Sequence, residues 1–241
     1  MSSGNISIIG KPNVGKSTLF NLLIKKHLAG ATNKPQTTRH KIDAVLREDD
    51  TEFLFVDTPG LNFNIKKNFN KILNKNALSA IYEADVILHV VDYFKIDRDD
   101  IKVVENINNL ALPKILVLNK IDLDNKKKNL PKILAGIPKD IVSVYDEIIP
   151  VSSKNSKNII NLKKIIKSHI PKNNKNNYEN ILSNKPKEFF VAEYIREACI
   201  KHLSVELPYS LHVEINKFED EENIISIAST IYLKKKSHLS I

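Results

Sequence analysis

The apolar residues of this chain fall into short runs whose spacing alternates between that of strands and that of helices. A run at residues 6–9 predicts a first buried strand, and apolar residues recur at helical spacing in residues 18–27. Residues 29–40 show no period. Residues 41–47 and 51–56 then predict the two strands of a hairpin, because a short acidic turn separates them.

Strand and helix spacing continue to alternate further along the chain. In chain order the predicted elements are helix 67–82, strand 85–92, helix 98–110, strand 114–118, strand 148–151 and helix 158–169. This alternation predicts an α/β domain with a mostly parallel sheet flanked by helices.

A polar stretch then divides the chain. Residues 171–186 read PKNNKNNYENILSNKP, which is too polar to build a core and predicts a linker. Beyond it we predict a helix at 187–203 and strands at 211–216 and 224–233, joined by an acidic turn at 219–223. The apolar stripe of this helix, with Cys199 as a core residue, is Phe189, Ala192, Ile195, Cys199 and Leu203. The expected organisation is an α/β domain at 1–170, a linker at 171–186 and a small α+β domain at 187–241.

The first strand leads into a phosphate-binding motif. Residues 10–17 read GKPNVGKS and lie between a predicted strand and a predicted helix, the setting that a P-loop requires. Backbone N–H groups and the helix N-terminus attract phosphate, Lys16 adds a full positive charge, and the Ser17 hydroxyl can bind Mg²⁺. The predicted phosphate-binding residues are Gly10, Lys11, Pro12, Asn13, Val14, Gly15, Lys16, Ser17 and Thr18.

A second candidate segment is Asp57-Thr58-Pro59-Gly60, directly after the predicted strand 51–56. A carboxylate at the carboxyl end of a strand beside a phosphate loop can hold the metal through water, and the Gly60 N–H can reach a γ-phosphate. Such a sequence alone is an ordinary turn, and its position after a strand favours the functional interpretation.

Base recognition is predicted at Asn119-Lys120-Ile121-Asp122, which follows the strand 114–118. The Asp122 carboxylate can accept hydrogen bonds from the guanine N1–H and N2–H₂ groups, and adenine offers no such donor pair. Ser152-Ser153-Lys154 follows the next strand and can present a backbone N–H to guanine O6. GTP and GDP are therefore the predicted ligands.

Charge and cysteine content suggest partners and a compartment. The net charge of +9 favours a polyanionic partner, either RNA or an anionic membrane surface, although a lysine-rich composition can also arise from mutational bias. Cys199 is the single cysteine, so no disulfide can form within the chain. No apolar run approaches the length of a membrane span. We expect a soluble, cytoplasmic, monomeric protein.

The motifs GKPNVGKST, QTTRH, VDTPGL, NKID and SSK, together with IREACIKHLSVELPYSLHVEI, resemble the Era family of GTPases, which act in small ribosomal subunit assembly. The resemblance covers nearly the whole chain. It implies that the second domain is a KH domain that binds the 3′ region of 16S rRNA. It also implies peripheral contact with the inner face of the cell membrane.

The same resemblance assigns roles to individual residues. It implies that Lys16, Thr38, Asp57 and Gly60 are catalytic, that Ser17, Thr38 and Asp57 hold Mg²⁺, and that Asn13 binds K⁺. Leu61 occupies the position at which small signalling GTPases carry a glutamine that orients water. Hydrolysis is therefore expected to be slow and to depend on positioning, electrostatics and K⁺.

The sequence departs from the family pattern at two places. Ser156 stands where relatives usually carry glycine, and the chain contains no glycine after Gly136. We therefore expect a truncated KH domain without the G-x-x-G loop that grips RNA, and weak RNA binding through Lys234, Lys235 and Lys236. Two functions stay open: a GTPase of small-subunit assembly, or a GTP-binding relic or module that has lost rRNA binding.

Overall fold

The computed structural model describes residues 2–32, 37–63, 68–124, 129–172, 182–202, 211–222 and 224–233. Within these residues the large sheet contains β1 (Ser2–Ile9), β2 (Ile42–Glu48), β3 (Thr51–Asp57), β4 (Val86–Asp92), β5 (Lys114–Asn119) and β6 (Glu147–Pro150). Its strand order is β2-β3-β1-β4-β5-β6. β2 pairs antiparallel with β3, and all other pairs are parallel. The predicted α/β fold and hairpin are confirmed.

Helices cover both faces of this sheet. They are α1 (Lys16–Ile24), α2 (Asn68–Tyr82), α3 (Arg98–Ile107), α4 (Leu130–Gly136), α5 (Lys139–Val142) and α6 (Ile159–His169). Leu19 of α1 and Leu162 of α6 belong to the apolar core on one face. Ala77 of α2 and Val103 of α3 belong to the core on the other face. Because β1 lies between β3 and β4, the connections leaving its carboxyl end open a crevice at that edge of the sheet.

Some element boundaries differ from the predictions. α1 ends at Ile24 because Lys25 adopts a left-handed conformation, with φ of 56°, and caps the helix. α3 ends at Ile107 rather than at residue 110. The short helices α4 and α5 were not predicted, since Gly136 and Pro138 interrupt any helical period between them.

The second sheet is a two-stranded antiparallel ribbon that follows helix α7 (Lys187–His202). β7 (Leu211–Glu221) pairs with β8 (Ile224–Leu233). The predicted acidic turn at 219–223 is wrong in extent, because the strand continues through Glu221. The predicted alternation holds at the start of β7, where Leu211 and Val213 are buried.

The predicted apolar stripe of α7 is not its buried face. Phe189, Ala192, Ile195 and Cys199 are only half-buried, so the expectation that Cys199 is a core residue is wrong. Glu193, Arg196, Glu197 and Ile200 are the buried residues of α7. The Glu197 carboxylate accepts from His27 Nε2 and from the Ala31 N–H, and Arg196 donates to the Thr37 carbonyl oxygen.

Several sequence features lie outside the described residues. They are Gln36, Leu203, the segment 206–210, the lysines Lys234, Lys235 and Lys236, and most of the predicted linker. The last part of that linker is described and contacts the sheet edge, since the Val45 N–H donates to the Leu182 carbonyl oxygen at 2.8 Å. The proposed domain boundaries stay predictions.

Candidate nucleotide-binding site

The phosphate loop joins the carboxyl end of β1 to the N-terminus of α1. Gly10 and Gly15 adopt φ of 142° and 98°, conformations that side chains disfavour. A Cβ at Gly10 would lie 2.2 Å from the Val90 carbonyl oxygen, and one at Gly15 would lie 2.3 Å from Nδ2 of Asn119. Both glycines are therefore required by close packing against neighbouring strands as well as by backbone conformation.

Lys16 occupies the first position of α1 and is buried. Its Nζ donates to the Lys11 carbonyl oxygen at 2.7 Å. Burial lowers the pKa of Lys16 to about 8, since the charged ammonium has lost hydration. An anion bound in the adjoining cavity, which Gly15, Ser17, Thr38 and Gly60 also line, would favour the charged form.

Three oxygen-bearing side chains meet next to this loop. The Ser17 hydroxyl donates to Oδ2 of Asp57 at 2.7 Å and lies 2.7 Å from the Thr38 hydroxyl, which donates to the same carboxylate oxygen at 3.3 Å. The other oxygen of Asp57 is buried and has no hydrogen-bond partner among the described residues. Burial raises the pKa of Asp57 to about 6. Hard oxygen ligands and a carboxylate short of a partner suit Mg²⁺.

The segment after β3 packs tightly on the phosphate loop. A Cβ at Gly60 would lie 2.6 Å from the backbone nitrogen of Pro12, so only glycine permits this approach. The Leu61 N–H donates to the Gly10 carbonyl oxygen at 3.1 Å, and the Leu61 side chain is fully buried. Leu61 therefore belongs to the core and does not face the site, as expected for a residue that does not orient water.

Asn119 connects the base-binding loops to the phosphate loop. Its Nδ2 donates to the Val14 carbonyl oxygen at 2.8 Å, and its Oδ1 accepts from the Ser153 backbone N–H at 3.0 Å and from the Ser153 hydroxyl at 2.9 Å. This amide is buried, and Val14 takes one of its two N–H donors. Asn119 therefore positions the loops around the base, and it also lines the base cavity.

Asp122 lines the cavity in which the base would lie. The Ser152 hydroxyl donates to its Oδ1 at 2.6 Å, which orients the carboxylate. The cavity measures about 560 Å³. Its lining residues include Asn13, Thr18, Asn119, Lys120, Asp122 and Lys154. An ionised carboxylate pointing into a cavity of this size suits the N1–H and N2–H₂ donors of guanine.

The structure also accounts for the departure at Ser156. This residue adopts φ of 54°, a left-handed conformation that glycine reaches without strain. The loop therefore keeps the backbone geometry that glycine would favour. The Ser152 N–H and carbonyl bridge to Lys157 across the same turn, at 3.2 and 3.0 Å, and so close the loop.

The sequence did not predict two contacts around the site. Lys11 directs its side chain away from the cavities, toward Asp97 and Asp100 at the start of α3. Arg196 of α7 donates to the Thr37 carbonyl oxygen, one residue before the predicted metal ligand Thr38. The sequence shows the Asp-x-x-Asp start of α3, but it does not show that Lys11 of the phosphate loop pairs with these two aspartates.

A mostly parallel sheet with a glycine-bounded phosphate loop, a cluster of oxygen-bearing side chains that suits Mg²⁺ beside it and a pocket that suits guanine after β5 defines a P-loop GTPase. The family of 50S ribosome-binding GTPases matches residues 5–120. The GTPase Era of Pseudomonas fluorescens (strain Pf0-1) is 34% identical over 238 residues, which is 99% of this chain and 79% of the relative. That of Clostridioides difficile (strain 630) is 35% identical over 242 residues, 99% of this chain and 80% of the relative.

Solved structures extend the match to the second sheet. A crystal structure of Era in complex with MgGDPNP and nucleotides 1506–1542 of 16S ribosomal RNA superimposes with a TM-score of 0.92 at 30% identity, covering 98% of this chain and 80% of that one. An Aquifex aeolicus Era variant bound to GDP·AlF4⁻ gives 0.91 at 30% identity, covering 98% and 81%. The chain belongs to the Era family of GTPases, and it binds and hydrolyses GTP with Mg²⁺.

Proposed function

We propose that this protein couples GTP binding and hydrolysis to small ribosomal subunit assembly, with the 3′ region of 16S rRNA as its RNA partner. The similarity to an RNA-bound relative, at a TM-score of 0.92 over 98% of the chain, carries this proposal. The description naming the 50S subunit belongs to a match over residues 5–120 only. A role with the small subunit is therefore favoured.

Phosphate binding and metal binding follow from the geometry of the site. Backbone N–H groups of the loop and the Lys16 ammonium would bind the β- and γ-phosphates, and Gly60 would donate its N–H to the γ-phosphate. Ser17, Thr38 and Asp57 would hold Mg²⁺, which offsets charge that develops on the phosphate oxygens. Because Leu61 is buried, its side chain does not orient water, and we expect backbone groups or bound ions to do so.

RNA binding separates the proposal from the alternative of a GTP-binding module without an RNA partner. The decisive measurement is a filter-binding titration of the protein with MgGDPNP against the 3′ end of 16S rRNA and a scrambled strand, both at 200 mM salt. Salt at this level suppresses contacts made only to phosphates. A preference of more than about tenfold, or 1.4 kcal/mol, for the cognate strand supports the rRNA function, and a smaller one supports the alternative.

We also propose that K⁺ stimulates hydrolysis through Asn13. This residue is exposed, adopts φ of 65° and lines both the phosphate and the base cavity, so its amide oxygen can reach a cation beside bound phosphates. Turnover should rise when Na⁺ buffer is replaced by K⁺ buffer. Equal turnover in the two buffers would remove this role from Asn13.

Peripheral membrane contact, a monomeric state and a cytoplasmic location are part of the same proposal. Within the described ranges, no helix combines the length and the apolar character needed to cross a bilayer. Co-sedimentation with anionic vesicles measures membrane contact, and sedimentation equilibrium measures the oligomeric state.

A further inference from the structure

Lys11 is the second residue of the phosphate loop, yet its side chain points away from the phosphate and base cavities and does not line either of them. Its Nζ lies 2.7 Å from Oδ2 of Asp97 and 2.8 Å from Oδ2 of Asp100, and it donates to the Lys95 carbonyl oxygen at 3.3 Å. An ammonium has three N–H donors, and these three acceptors engage all of them. The side chain is therefore fully engaged where it stands.

The acceptors for Lys11 are themselves rigid. Asp97 is the N-cap of α3, and its side chain accepts from the Asp99 N–H at 3.0 Å. Asp100 completes the capping box, since its Oδ2 accepts from the Asp97 N–H at 2.9 Å. The Asp100 side chain is 3% exposed and that of Lys11 is 11% exposed. A buried ion pair fixed by a helix cap gives the loop a firm anchor.

The anchored segment of the loop supports the groups that handle the phosphates. The Lys11 carbonyl oxygen accepts from Nζ of Lys16, the Gly10 carbonyl oxygen accepts from the Leu61 N–H, and Pro12 forms the surface against which Gly60 packs. A displacement of Lys11 would move all three contacts. Guanine binding at Asp122 depends on other loops.

We propose that Lys11, held by Asp97 and Asp100, is a positioning residue for GTP hydrolysis that acts through the phosphate loop without touching the nucleotide. Loss of the anchor lets residues 10–12 relax and misplaces Lys16 and Gly60, which serve the γ-phosphate. GDP has no γ-phosphate and depends on this segment only through the β-phosphate contacts of the loop and Lys16, so its affinity should fall less than the turnover of GTP. The inference rests on the GTPase activity of the protein. Wild-type turnover, measured in parallel, tests that activity separately from the role of Lys11.

The test uses the full chain with four substitutions. Lys11→Met removes the charge at similar length, Lys11→Arg keeps it, and Asp97→Asn and Asp100→Asn weaken the acceptors while asparagine preserves the cap geometry. Lys102→Met is the matched control, because Lys102 pairs with Asp99 on the same helix at 3.3 Å and is 38% exposed. The measurements are kcat and KM for GTP, the Kd for GDP and the melting temperature.

We expect Lys11→Met to lower kcat at least about tenfold while the GDP Kd changes less than about threefold. Lys11→Arg should restore kcat to within about threefold, and Lys102→Met should match wild type. Asp100→Asn should lower kcat about threefold or more, and combining it with Lys11→Met should add little, because residues of one network are not additive.

Four outcomes would overturn the proposal. Unchanged kcat in Lys11→Met leaves no role for the residue, and equal losses in kcat and GDP affinity indicate a general structural role. A loss in Lys11→Met with unchanged turnover in both aspartate variants indicates direct contact with phosphate. If Lys11→Met does not fold, the turnover of Asp97→Asn is the test. Asp97 is 41% exposed, so its replacement leaves no buried charge unpaired. Unchanged turnover in Asp97→Asn would then overturn the proposal.

Discussion

Asp122 carries the distinction between guanine and other bases in a single side chain. Its carboxylate is oriented by Ser152 and lines the 560 Å³ cavity, where its two oxygens can accept from the N1–H and N2–H₂ groups of guanine. The neighbouring Asn119 cannot substitute for it, because its amide oxygen already accepts two hydrogen bonds from Ser153.

Replacing Asp122 by Asn should therefore exchange the preferred base. The amide oxygen can still accept from N1–H, but the amide NH₂ group faces the guanine N2–H₂ group and instead matches the C2 carbonyl of xanthine. We expect GTP affinity to fall by about 10²-fold or more, since one charged hydrogen bond of about 1.5–3 kcal/mol is lost, a donor is left unpaired and the other bond becomes neutral, and XTP to become the preferred ligand. Calorimetry with both nucleotides checks this. The exposed Asp140→Asn is the control and should bind GTP like wild type.

His89 gives the stability of the protein a dependence on pH. It lies in β4, its Nδ1 hydrogen-bonds with the Tyr145 hydroxyl, and burial lowers its pKa to about 3. The pKa of an unfolded histidine is about 6.5, so the unfolded state binds more protons between these values. Stability is therefore retained above pH 6.5 and is lost as the pH falls below it, by about 1.4 kcal/mol per pH unit.

The test is the free energy of unfolding, measured by urea denaturation at pH 7.5, 6.5 and 5.5. His89→Leu should be less stable than wild type at pH 7.5, because Tyr145 loses a partner, but should lose about 1 kcal/mol less between pH 6.5 and 5.5. His202→Gln, an exposed position, should show the wild-type slope. If the free energy of unfolding depended on pH equally in wild type and His89→Leu, His89 would not be a buried neutral imidazole.

At the scale of elements, the spacing of apolar residues predicted the strands, and short motifs predicted the loops that follow them. The residues of the phosphate loop, of the segment 57–60 and of the base loop lie next to one another in the chain and directly follow strands. Parallel strands bring such loops to one edge, so their convergence follows from the fold. What the sequence could not supply was the partner of a charged side chain on a distant element, as with Lys11 and Arg196.

In helix α7 the apolar stripe predicted the wrong buried face. Its buried face contains the ion pair of Glu193 and Arg196, whose side chains are 8% and 4% exposed. Charged residues reach such burial when they are paired, and Thr37 supplies an acceptor for Nη2 of Arg196 from another part of the chain, while Nη1 has no partner among the described residues. A period of apolar residues does not reveal a face that is buried through paired charges.

Breaking this pair on one side should be costly. Arg196→Met leaves the Glu193 carboxylate buried without its cation, and we expect about 3–5 kcal/mol of stability to be lost. Glu193→Gln combined with Arg196→Met removes the unpaired charge and should recover much of the loss. Denaturation in urea measures both. Lys187→Met on the same helix breaks an ion pair with Asp220 whose lysine is 75% exposed, and it should cost less than about 1 kcal/mol.

For the whole molecule, the contacts of α7 and β7 connect the predicted RNA-binding part to the nucleotide site. Arg196 holds the Thr37 carbonyl, Glu197 accepts from the Ala31 N–H at 3.3 Å, and Arg39 donates to the Leu211 carbonyl oxygen at 2.8 Å. These bonds surround Thr38, which also touches Asp57. A change in the segment around Thr38 on nucleotide binding therefore reaches both α7 and β7.

Such a connection predicts that nucleotide and RNA affect each other's affinity. The solved relative holds MgGDPNP and a 16S rRNA fragment together, so we expect MgGDPNP to raise the affinity for that RNA over MgGDP by at least about fivefold, or about 1 kcal/mol. By linkage, the RNA should raise the affinity for MgGDPNP relative to MgGDP by the same factor. The double variant Glu193→Gln/Arg196→Met lacks the bond to Thr37 and should reduce both ratios toward one, while Lys187→Met should keep them. Fluorescence anisotropy with labelled RNA, at fixed salt, measures the first ratio. An unchanged ratio in the double variant would show that the coupling does not pass through Arg196.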